Sequence, residues 1–251
     1  MNGESRPVAL VTGSATGVGR ACVLQFAGRG YDVVVNYSRS EAEAIETAAD
    51  AKKIGAEVLL SQCDVSDDNS VQQMISDVEA KFGRLDVVVN NAATTSFIDH
   101  SDLDAMTEDL WDRILAVNLK GAFFVSRAAT PLLKSGDGGA IVNISSVAGI
   151  TGSGSSVAYC ASKGALNTMT KSLARSLAPE IRVNAVCPGP IESRWFREGN
   201  PDVSIESMVE NYPLPKASMP DDIADAVLFF ALGTSMATGQ WVSIDGGQTL
   251  G

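Results

Sequence analysis

Seven short apolar runs alternate along the chain with stretches of helical periodicity, and this alternation restricts the fold more than any other feature of the sequence. The runs occupy 7–11, 31–36, 57–62, 85–90, 140–144, 181–186 and 240–244, and the longer helical patterns lie at 41–54, 67–82, 108–133, 157–178, 205–211 and 220–232. Strands separated by helices are typical of parallel sheets, because a parallel connection has to cross over the sheet. The sequence therefore predicts an α/β fold, a doubly wound parallel sheet of about seven strands with helices on both faces.

No boundary in the sequence divides the chain into two domains. Its 251 residues fit one large α/β domain. No Pro- or Gly-rich linker separates two halves, and the glycines at 136, 138 and 139 mark a turn before a strand. We therefore expect a single domain over residues 1–251.

Charge and composition restrict the partners and the location. A formal net charge of -11 disfavours nucleic acid and anionic membrane surfaces, which both require a positive face on the protein. No apolar run approaches the roughly 18 residues of a membrane span, and the first residues lack the basic and apolar regions of a signal peptide. The four cysteines are scattered without a Cys-x-x-Cys pair, which indicates neither a zinc site nor a disulfide framework. We expect a cytoplasmic protein.

A glycine-rich turn joins the first strand to a helical pattern. Gly13, Gly17 and Gly19 follow the strand, and the helical pattern continues from Ala21. In this order Gly13 permits a tight turn, while Gly17 and Gly19 let the backbone approach a pyrophosphate. The Gly-x-x-x-Gly-x-Gly spacing differs from the general Gly-x-Gly-x-x-Gly fingerprint, and the alternative is that the glycines only close a turn. We favour a dinucleotide site at a Rossmann-type turn.

The end of the second strand indicates which dinucleotide is bound. An Asp or Glu there would select NAD, and a basic residue would accommodate a 2′-phosphate. The sequence continues Asn36-Tyr37-Ser38-Arg39-Ser40, with no acid before Glu41. We therefore predict that NADP(H) is preferred and that NAD(H) is possible, with Ser38 and Arg39 as the phosphate contacts. The alternative for Arg39 is an ordinary solvated charge at the start of a helix.

Polar and small residues after the third and fourth strands extend this site. Asp64 could accept a hydrogen bond from an adenine amino group, or it could be a turn or capping acid. Asn91, Ala92 and Ala93 leave room for a ribose. Asn118 interrupts the apolar face of the pattern at 108–133, where a polar amide means either a buried hydrogen bond or a kink.

Tyr159 and Lys163 are four residues apart in the helical pattern 157–178, so they lie on one helix face. A phenol with a reference pKa of about 10 is a poor acid or base near neutral pH, but a nearby ammonium favours the phenolate. Ser146 or Ser145 could hydrogen-bond the reacting oxygen, because active sites of open α/β sheets gather at strand ends. An isolated Tyr-x-x-x-Lys is more often a solvated helix face, so the rest of the chain has to supply the specificity.

Together these residues resemble the short-chain dehydrogenase/reductase family, and the resemblance covers essentially the whole chain. The motifs that occur in the family's order and approximate spacing are Thr12-Gly13-x-x-x-Gly17-x-Gly19, Asn90-Asn91-Ala92, Asn118, Ser146, Tyr159-x-x-x-Lys163 and Pro188-Gly189. Within the family the chain looks most similar to reductases of 3-oxoacyl thioesters and to sugar and steroid dehydrogenases. It departs from the family at Ala93, where glycine is frequent, and at Ser193, where threonine is common.

The resemblance implies a role for each catalytic residue. Tyr159 would be the general acid in reduction and the general base in oxidation, and Ser146 would polarise the substrate carbonyl, which leaves Ser145 a lesser role. Lys163 would lower the pKa of Tyr159 and hold the hydroxyls of the nicotinamide ribose. Asn118 would hold a water that links Lys163 to solvent. No metal is needed, because hydride transfer is the chemistry of the cofactor.

The resemblance also implies a cofactor site along the strand ends, in which the Ser193 hydroxyl could bond the nicotinamide carboxamide. The predicted cofactor contacts are Gly13, Ser14, Thr16, Gly17, Val18, Gly19, Ser38, Arg39, Asp64, Val65, Asn91, Ala92, Ala93, Tyr159, Lys163, Pro188, Gly189, Ile191 and Ser193.

Residues 190–213 correspond to the mobile substrate lid of the family. Trp195, Phe196, Met208 and Tyr212 could line an apolar substrate pocket there, although a core would need the same residue types. The loop of the single histidine, His100, could border the pocket, but a lone surface histidine is the favoured interpretation. Members are commonly tetrameric, with the helices at 108–133 and 157–178 and the last strand at the interfaces, so we expect a homotetramer.

The function predicted by these residues is that of an NADP(H)-dependent oxidoreductase, which transfers hydride between nicotinamide and a small carbonyl or secondary alcohol. A 3-oxoacyl thioester is one candidate substrate. The alternative is a non-catalytic dinucleotide-binding regulatory protein of the same fold. The intact set of Asn118, Ser146, Tyr159 and Lys163 argues against that alternative, because a binding module does not require proton-transfer geometry.

Overall fold

One parallel sheet forms the centre of the computed structural model, which describes residues 6–136, 138–194, 197 and 204–250. Its strands are Val8–Val11 (β1), Asp32–Tyr37 (β2), Val58–Gln62 (β3), Val87–Asn90 (β4), Gly139–Ile144 (β5), Ile181–Pro188 (β6) and Trp241–Ile244 (β7). All pair in parallel, in the order β3-β2-β1-β4-β5-β6-β7. The order reverses between β1 and β4, which places a crevice at the carboxyl ends of these strands, where ligands of such sheets bind.

Helices connect the strands and cover both faces of the sheet. In the described part of the chain they are Gly17–Gly28 (α1), Glu41–Ile54 (α2), Asp68–Phe82 (α3), Glu108–Leu115 (α4), Ala122–Lys134 (α5), Ala148–Thr151 (α6), Val157–Leu177 (α7), Ile205–Val209 (α8) and Pro220–Leu228 (α9). None of these described helices is both long enough and apolar enough to cross a membrane.

Alternate residues of each central strand enter two separate apolar layers. Ala9 and Val11 of β1 pack in the layer under α1, α2 and α9, while Val8 and Leu10 pack in the layer under α3, α5 and α7. All four side chains are fully buried. A strand buried on both faces has a continuous apolar sequence, because neither of its faces meets water.

The structure confirms the predicted fold class, and the seven strands lie close to their predicted bounds. The loop of small residues before α7 differs from the prediction, because it contains the short helix α6. The helix predicted at 41–54 ends as its sequence indicates, with Gly55 at a left-handed φ of 102° as the C-cap.

The helix predicted at 108–133 is interrupted around Asn118. π-Helical turns at Ala116–Gly121 separate α4 from α5, and such segments frequently mark functional sites. Asn118 is 2% exposed within them. Gly121, the last residue of this segment, packs closely against Val65 after β3, since a Cβ atom on Gly121 would lie 2.7 Å from the Val65 Cγ2. Both outcomes that the sequence left open, a buried amide and a break in the helix, are therefore present.

Candidate functional site

The turn between β1 and α1 has the backbone shape that its glycines predict. Gly13 and Gly17 have φ angles of 60° and 57°, in the left-handed region that favours glycine. A Cβ atom on Gly13 would lie 2.9 Å from the Ala92 Cα, whereas one on Gly17 would have no atom within 4 Å. Thr16, the N-cap of α1, makes no capping hydrogen bond through its side chain. The first amides of α1 are therefore free of a side-chain cap and can bind an anion.

Side chains from neighbouring strands hold this turn in place. Asn91 donates from Nδ2 to the carbonyls of Thr12 and Gly13, each at 2.9 Å. The Thr12 hydroxyl accepts the amides of Asn91 and Ala92 at 3.0 Å. Asn36 of β2 accepts the Gly13 amide at 3.0 Å. Because these bonds already fix the backbone, the turn needs no rearrangement to receive a ligand.

One cleft extends from this turn along the strand ends to α7, with a volume of about 890 Å³. That volume is in the range of small-molecule sites. The predicted cofactor contacts that line it are Gly13, Thr16, Gly17, Val18, Ser38, Arg39, Asp64, Val65, Asn91, Ala92, Ala93, Tyr159, Lys163, Pro188, Gly189, Ile191 and Ser193.

Two of the predicted cofactor contacts do not line the cleft. Ser14 is fully buried, and its hydroxyl accepts the Asn36 amide at 3.1 Å. Gly19 packs behind the turn, where a Cβ atom would lie 2.6 Å from Nδ2 of Asn91. Both residues shape the turn from behind, which their place in the motif does not reveal.

Arg39 follows β2 as an exposed cation in the cleft. Within the described residues it forms no ion pair, whereas two other arginines of the cleft do: Arg113 pairs with Asp64 at 2.9 Å and Arg194 pairs with Glu43. A guanidinium without an acidic partner can bind a phosphate group in charge-assisted hydrogen bonds. Its position next to Ser38 is the one expected of a contact to a 2′-phosphate.

Asp64 lines the cleft, but both of its carboxylate oxygens already have protein partners. Oδ1 accepts the amide and hydroxyl of Ser66 at 3.0 and 2.7 Å, and Oδ2 accepts from Arg113 at 2.9 Å. Partial burial pushes the pKa of Asp64 upward, but these bonds outweigh it and hold the pKa below its usual value. These contacts agree with the second role that the sequence left open for Asp64, that of an acid in a turn. Its contact with an adenine stays a prediction.

The first turn of α7 brings the reactive groups together at the other end of the cleft. Ser156 caps α7 and accepts the Tyr159 amide at 3.3 Å. The Tyr159 side chain is hydrogen-bonded to Ser146. Nζ of Lys163 lies 5.6 Å from the centre of the Tyr159 ring. Ser145 points inward instead, since it is 3% exposed and donates to the Lys163 carbonyl at 3.1 Å. Ser146 is therefore the serine that accompanies Tyr159.

Burial dominates the protonation of both α7 groups. Desolvation raises the pKa of Tyr159 to about 12, although the hydrogen bond with Ser146 opposes it. Desolvation lowers the pKa of Lys163, which is 2% exposed, to about 8. Nζ of Lys163 donates to the Ile144 carbonyl at 2.8 Å, and the expectation that Lys163 lowers the pKa of Tyr159 stays a prediction. Tyr159 is thus a protonated phenol at neutral pH.

Asn118 lies behind these groups and does not line the cleft. Its Oδ1 accepts the Thr94 amide at 2.8 Å, and its Nδ2 donates to the Thr94 carbonyl at 3.0 Å and to the Ser162 hydroxyl at 3.1 Å. The side chain therefore joins the loop after β4 to α7. Its role in a water relay stays a prediction.

The loop after β4 packs against the loop before α7 and forms a further wall of the cleft. The Ile98 amide donates to the Ser155 carbonyl at 2.9 Å, and the hydroxyls of Thr95 and Ser155 are 2.6 Å apart. His100 Nε2 lies 3.0 Å from the Gly154 carbonyl oxygen. His100 lines the cleft. Its position therefore agrees with the interpretation that the sequence analysis favoured less, in which the loop borders the pocket.

The predicted lid is described only in part. Met208 of α8 lines the cleft, whereas Trp195 and Phe196 lie outside the described residues. The start of the segment pairs with the chain shortly after its end, because the Glu192 amide donates to the Ser218 carbonyl at 2.9 Å and the Ser218 amide donates to the Pro190 carbonyl at 3.0 Å.

Some residues that line the cleft carry no signal in the sequence. Arg113 is an example, since it belongs to a segment whose pattern does not point to a ligand. Gln248 is a second. The Asp245-Gly246-Gly247 turn before it is the one feature that could have indicated a return of the chain to the cleft after β7.

The residues present fit a nicotinamide dinucleotide. The open space beside Gly17 and the uncapped amides of α1 suit a pyrophosphate, and Arg39 suits a further phosphate. The protonated phenol of Tyr159 lies at the far end of the same cleft. This arrangement can bind an anionic cofactor and supply a proton to a bound substrate.

Comparisons with known proteins agree with this geometry. Residues 13–249 match the family model described as enoyl-(acyl carrier protein) reductase. "Granaticin polyketide synthase putative ketoacyl reductase 2" of Streptomyces violaceoruber is 39% identical over 245 residues, which cover 97% of this chain and 96% of that protein. The 3-oxoacyl-[acyl-carrier-protein] reductase FabG of Staphylococcus aureus is 39% identical over 242 residues, 96% of this chain and 97% of that protein.

A solved structure shares the fold over nearly the whole chain. "Crystal structure of a putative short-chain dehydrogenase/reductase from Burkholderia xenovorans" matches with a TM-score of 0.93 at 36% identity, covering 99% of this chain and 100% of that one. The relatives give no support to a non-catalytic dinucleotide-binding regulator. The chain therefore belongs to the short-chain dehydrogenase/reductase family, and it is an oxidoreductase that transfers hydride between a nicotinamide cofactor and a carbonyl or alcohol.

Proposed function

We propose that this enzyme is an NADPH-dependent reductase that converts the carbonyl of a 3-oxoacyl thioester into a secondary alcohol. One observation carries the proposal. The same cleft is lined by Arg39, which has no acidic partner among the described residues, and by the hydrogen-bonded Ser146 and Tyr159. The first would select a phosphorylated dinucleotide, and the second pair would supply the proton.

The nucleotide end of the cleft divides binding among its residues. The amides beside Gly17 hold the pyrophosphate at the N-terminus of α1. Ser38 and Arg39 bind the 2′-phosphate. Asp64 faces the adenine, and the small side chains at 91–93 leave space for the ribose.

The reaction end positions the substrate oxygen and protonates it. When bound, the nicotinamide supplies the hydride. Ser146 donates a hydrogen bond to the substrate carbonyl oxygen, and Tyr159 donates its proton to the same oxygen as negative charge develops there. Because burial raises the pKa of Tyr159 to about 12, the phenol holds this proton at neutral pH, which suits reduction. Lys163 binds the ribose hydroxyls, and Asn118 holds the water that returns a proton to the site.

Two observations support a 3-oxoacyl thioester as the substrate. The relatives from Streptomyces violaceoruber and Staphylococcus aureus are named as a ketoacyl reductase and a 3-oxoacyl-[acyl-carrier-protein] reductase. The substrate side of the cleft includes the apolar side chains of Phe97, Ile98 and Met208, which can cover an acyl chain.

Residues 190–213 act as the substrate lid in this proposal. The paired backbone of Pro190, Glu192 and Ser218 closes the base of the segment, and α8 brings Met208 to the cleft. A segment that is fixed at its base and contacts the cleft at its far part can open without disturbing the sheet.

The proposed assembly is a homotetramer, and the proposed location is the cytoplasm. Phe123 of α5, Val157 of α7 and Trp241 of β7 are 39%, 36% and 39% exposed. Large apolar side chains exposed on these elements suit burial between subunits. Light scattering during gel filtration measures the assembly, and a monomeric mass would contradict it.

The test is a titration of the purified protein with NADPH and with NADH, followed by turnover assays with acetoacetyl-CoA, a steroid ketone and a sugar alcohol. We expect tighter binding of NADPH and loss of its absorbance with acetoacetyl-CoA. Tighter binding of NADH would contradict the role of Arg39 and leave the reaction end unaffected. Turnover of the steroid or the sugar alone would contradict the thioester, and binding of neither cofactor would contradict the proposal as a whole.

A further inference from the structure

The side chain of Gln248 contains a buried acceptor without a partner. Its Oε1 is enclosed and forms no hydrogen bond with the described residues, while Gln248 itself lines the cleft. A Cβ atom placed on Gly189 would lie 3.2 Å from this oxygen. Buried amide oxygens almost always have a donor, because an unpaired one loses its bonds to water and gains none in return. The free acceptor therefore indicates a ligand that brings a donor to this place.

The turn before Gln248 fixes its position. Asp245 is 9% exposed, and its carboxylate accepts the Gly247 amide at 3.0 Å and the amide and hydroxyl of Thr249 at 3.0 and 2.8 Å. Gly247 also packs closely on the end of the lid segment, since a Cβ atom there would lie 2.7 Å from the Pro213 Cγ. The backbone on both sides of Gln248 is thus held, and the acceptor is preorganised.

Two neighbouring main-chain groups are already engaged. The Gly189 amide donates to the Ile244 carbonyl at 3.0 Å, and the Pro188 carbonyl accepts the Val147 amide at 3.0 Å. A ligand group that enters beside Gly189 with N–H donors therefore meets an unpaired acceptor in Gln248. In the proposed function this part of the cleft receives the nicotinamide, whose carboxamide carries an NH₂ group with two donors.

We propose that Gln248 is a positioning residue for the cofactor, and that its Oε1 accepts a hydrogen bond from the carboxamide NH₂ of the nicotinamide. This inference rests on the proposed function. The bond fixes the rotation of the carboxamide and, with it, the face of the ring that is turned towards Tyr159.

The test compares the binding of NADP⁺ with that of its 3-acetylpyridine analogue, in which a methyl group replaces the NH₂. Calorimetry gives the ratio of the two dissociation constants. In the wild-type enzyme the analogue should bind more weakly, and Gln248→Met should reduce this ratio by about three- to tenfold, the usual worth of one neutral hydrogen bond. Gln248→Glu keeps an acceptor and should keep the ratio. The matched control is Gln240→Met, because Gln240 is exposed and its side-chain Nε2 donates to the Thr238 carbonyl at 3.3 Å.

Three results would overturn the inference. One is a wild-type enzyme that binds NADP⁺ and the analogue equally, which needs no variant and so does not depend on how a variant folds. A second is a Gln248→Met variant in which the ratio of the two dissociation constants is unchanged. If the KM of the substrate rises in that variant while the ratio stays the same, the group that donates to Gln248 belongs to the substrate and not to the cofactor. Both leave the proposed function intact. A wild-type enzyme that binds neither NADP⁺ nor NAD⁺ would overturn the inference together with the proposed function.

Discussion

Two cations line the same cleft under opposite conditions. Arg39 is exposed after β2 and has no acidic partner among the described residues. Lys163 is 2% exposed in α7 and donates to a backbone carbonyl. An exposed guanidinium keeps its hydration and costs the fold little, whereas a buried ammonium loses hydration, which lowers the pKa of Lys163 to about 8. In the proposed function the nucleotide end would thus provide selectivity at little cost to stability, whereas the reaction end holds a group whose burial destabilises the fold.

The largest expected effect is at the reaction end. Tyr159→Phe removes the proton donor, so kcat should fall by about 10²- to 10⁴-fold, the usual worth of general acid catalysis. The dissociation constant for NADPH should hardly change, because the ring and its packing remain. Stopped-flow reduction assays and fluorescence titration measure the two quantities.

Tyr31→Phe is the matched control for this variant. Tyr31 packs on Phe26 with ring centres 5.4 Å apart, and its loss of a hydroxyl should leave kcat unchanged. If Tyr159→Phe turned over substrate at the wild-type rate, Tyr159 would not be the proton donor. The end of the cleft that contains Tyr159 and Lys163 could then not be called the reaction end.

The second effect separates stability from activity at Lys163. Lys163→Met should abolish most of the activity and yet raise the free energy of unfolding at neutral pH by about 3 kcal/mol, since each pKa unit of the shift from 10.5 to about 8 represents about 1.4 kcal/mol. Urea denaturation measures this gain. The exposed Lys52 on α2 supplies the control Lys52→Met, which should change stability little.

The gain should depend on pH in a defined direction. The folded pKa of Lys163 is depressed relative to the unfolded value of 10.5, so between about pH 8 and 10.5 the unfolded wild-type chain binds more protons than the folded one and the wild type becomes more stable as pH rises. The advantage of Lys163→Met is therefore full below pH 8 and disappears towards pH 10.5. If the stability gain of Lys163→Met over the wild type were the same at neutral pH and near pH 10, packing and not the desolvation of Lys163 would be the cause of the gain.

The sequence predicts the fold because the signals of a parallel sheet are local. Each buried strand is a continuous apolar run, and a helix can carry its own end signal, as α2 does at Gly55. The tyrosine and lysine of α7 are four residues apart, so helix geometry alone brings them to one face. The positions of Gly13, Tyr159 and Lys163 in one cleft follow from the strand order, which the resemblance to a known family implies.

The part of the site that the sequence does not predict depends on contacts between segments far apart in the chain. Arg113 neutralises Asp64 across 49 positions, and Gln248 reaches Gly189 from the other side of β7. The pKa of Tyr159 is another example, because the motif spacing does not show the burial that raises this pKa to about 12. Motif spacing describes neither burial nor the partner that a charged side chain has already found.

The third prediction addresses the nucleotide end. Arg39→Ser should weaken NADPH binding by about tenfold, the lower part of the range for hydrogen bonds to charged groups, since Arg39 is exposed. Binding of NADH should remain as it is, because NADH carries no 2′-phosphate. Arg29→Ser, on an exposed arginine after α1, is the matched control and should affect neither cofactor. An equal loss for NADPH and NADH would place Arg39 at the pyrophosphate and contradict its role in selection.

The smallest effect is the dependence of cofactor preference on salt. At an ionic strength of about 0.1 M the screening length is about 10 Å, and it shortens to about 3 Å at 1 M. The exposed contact between Arg39 and the 2′-phosphate should therefore weaken, so that the preference for NADPH over NADH falls by about two- to threefold between these conditions. The preference of Arg39→Ser should not change with salt, and kcat of the wild type should not follow the same trend, because Lys163 and Tyr159 are shielded from the solvent ions by burial. A preference that persisted at high salt would mean that the phosphate is bound in a dry site, and the contrast between an exposed selecting cation and a buried reacting one would then fail.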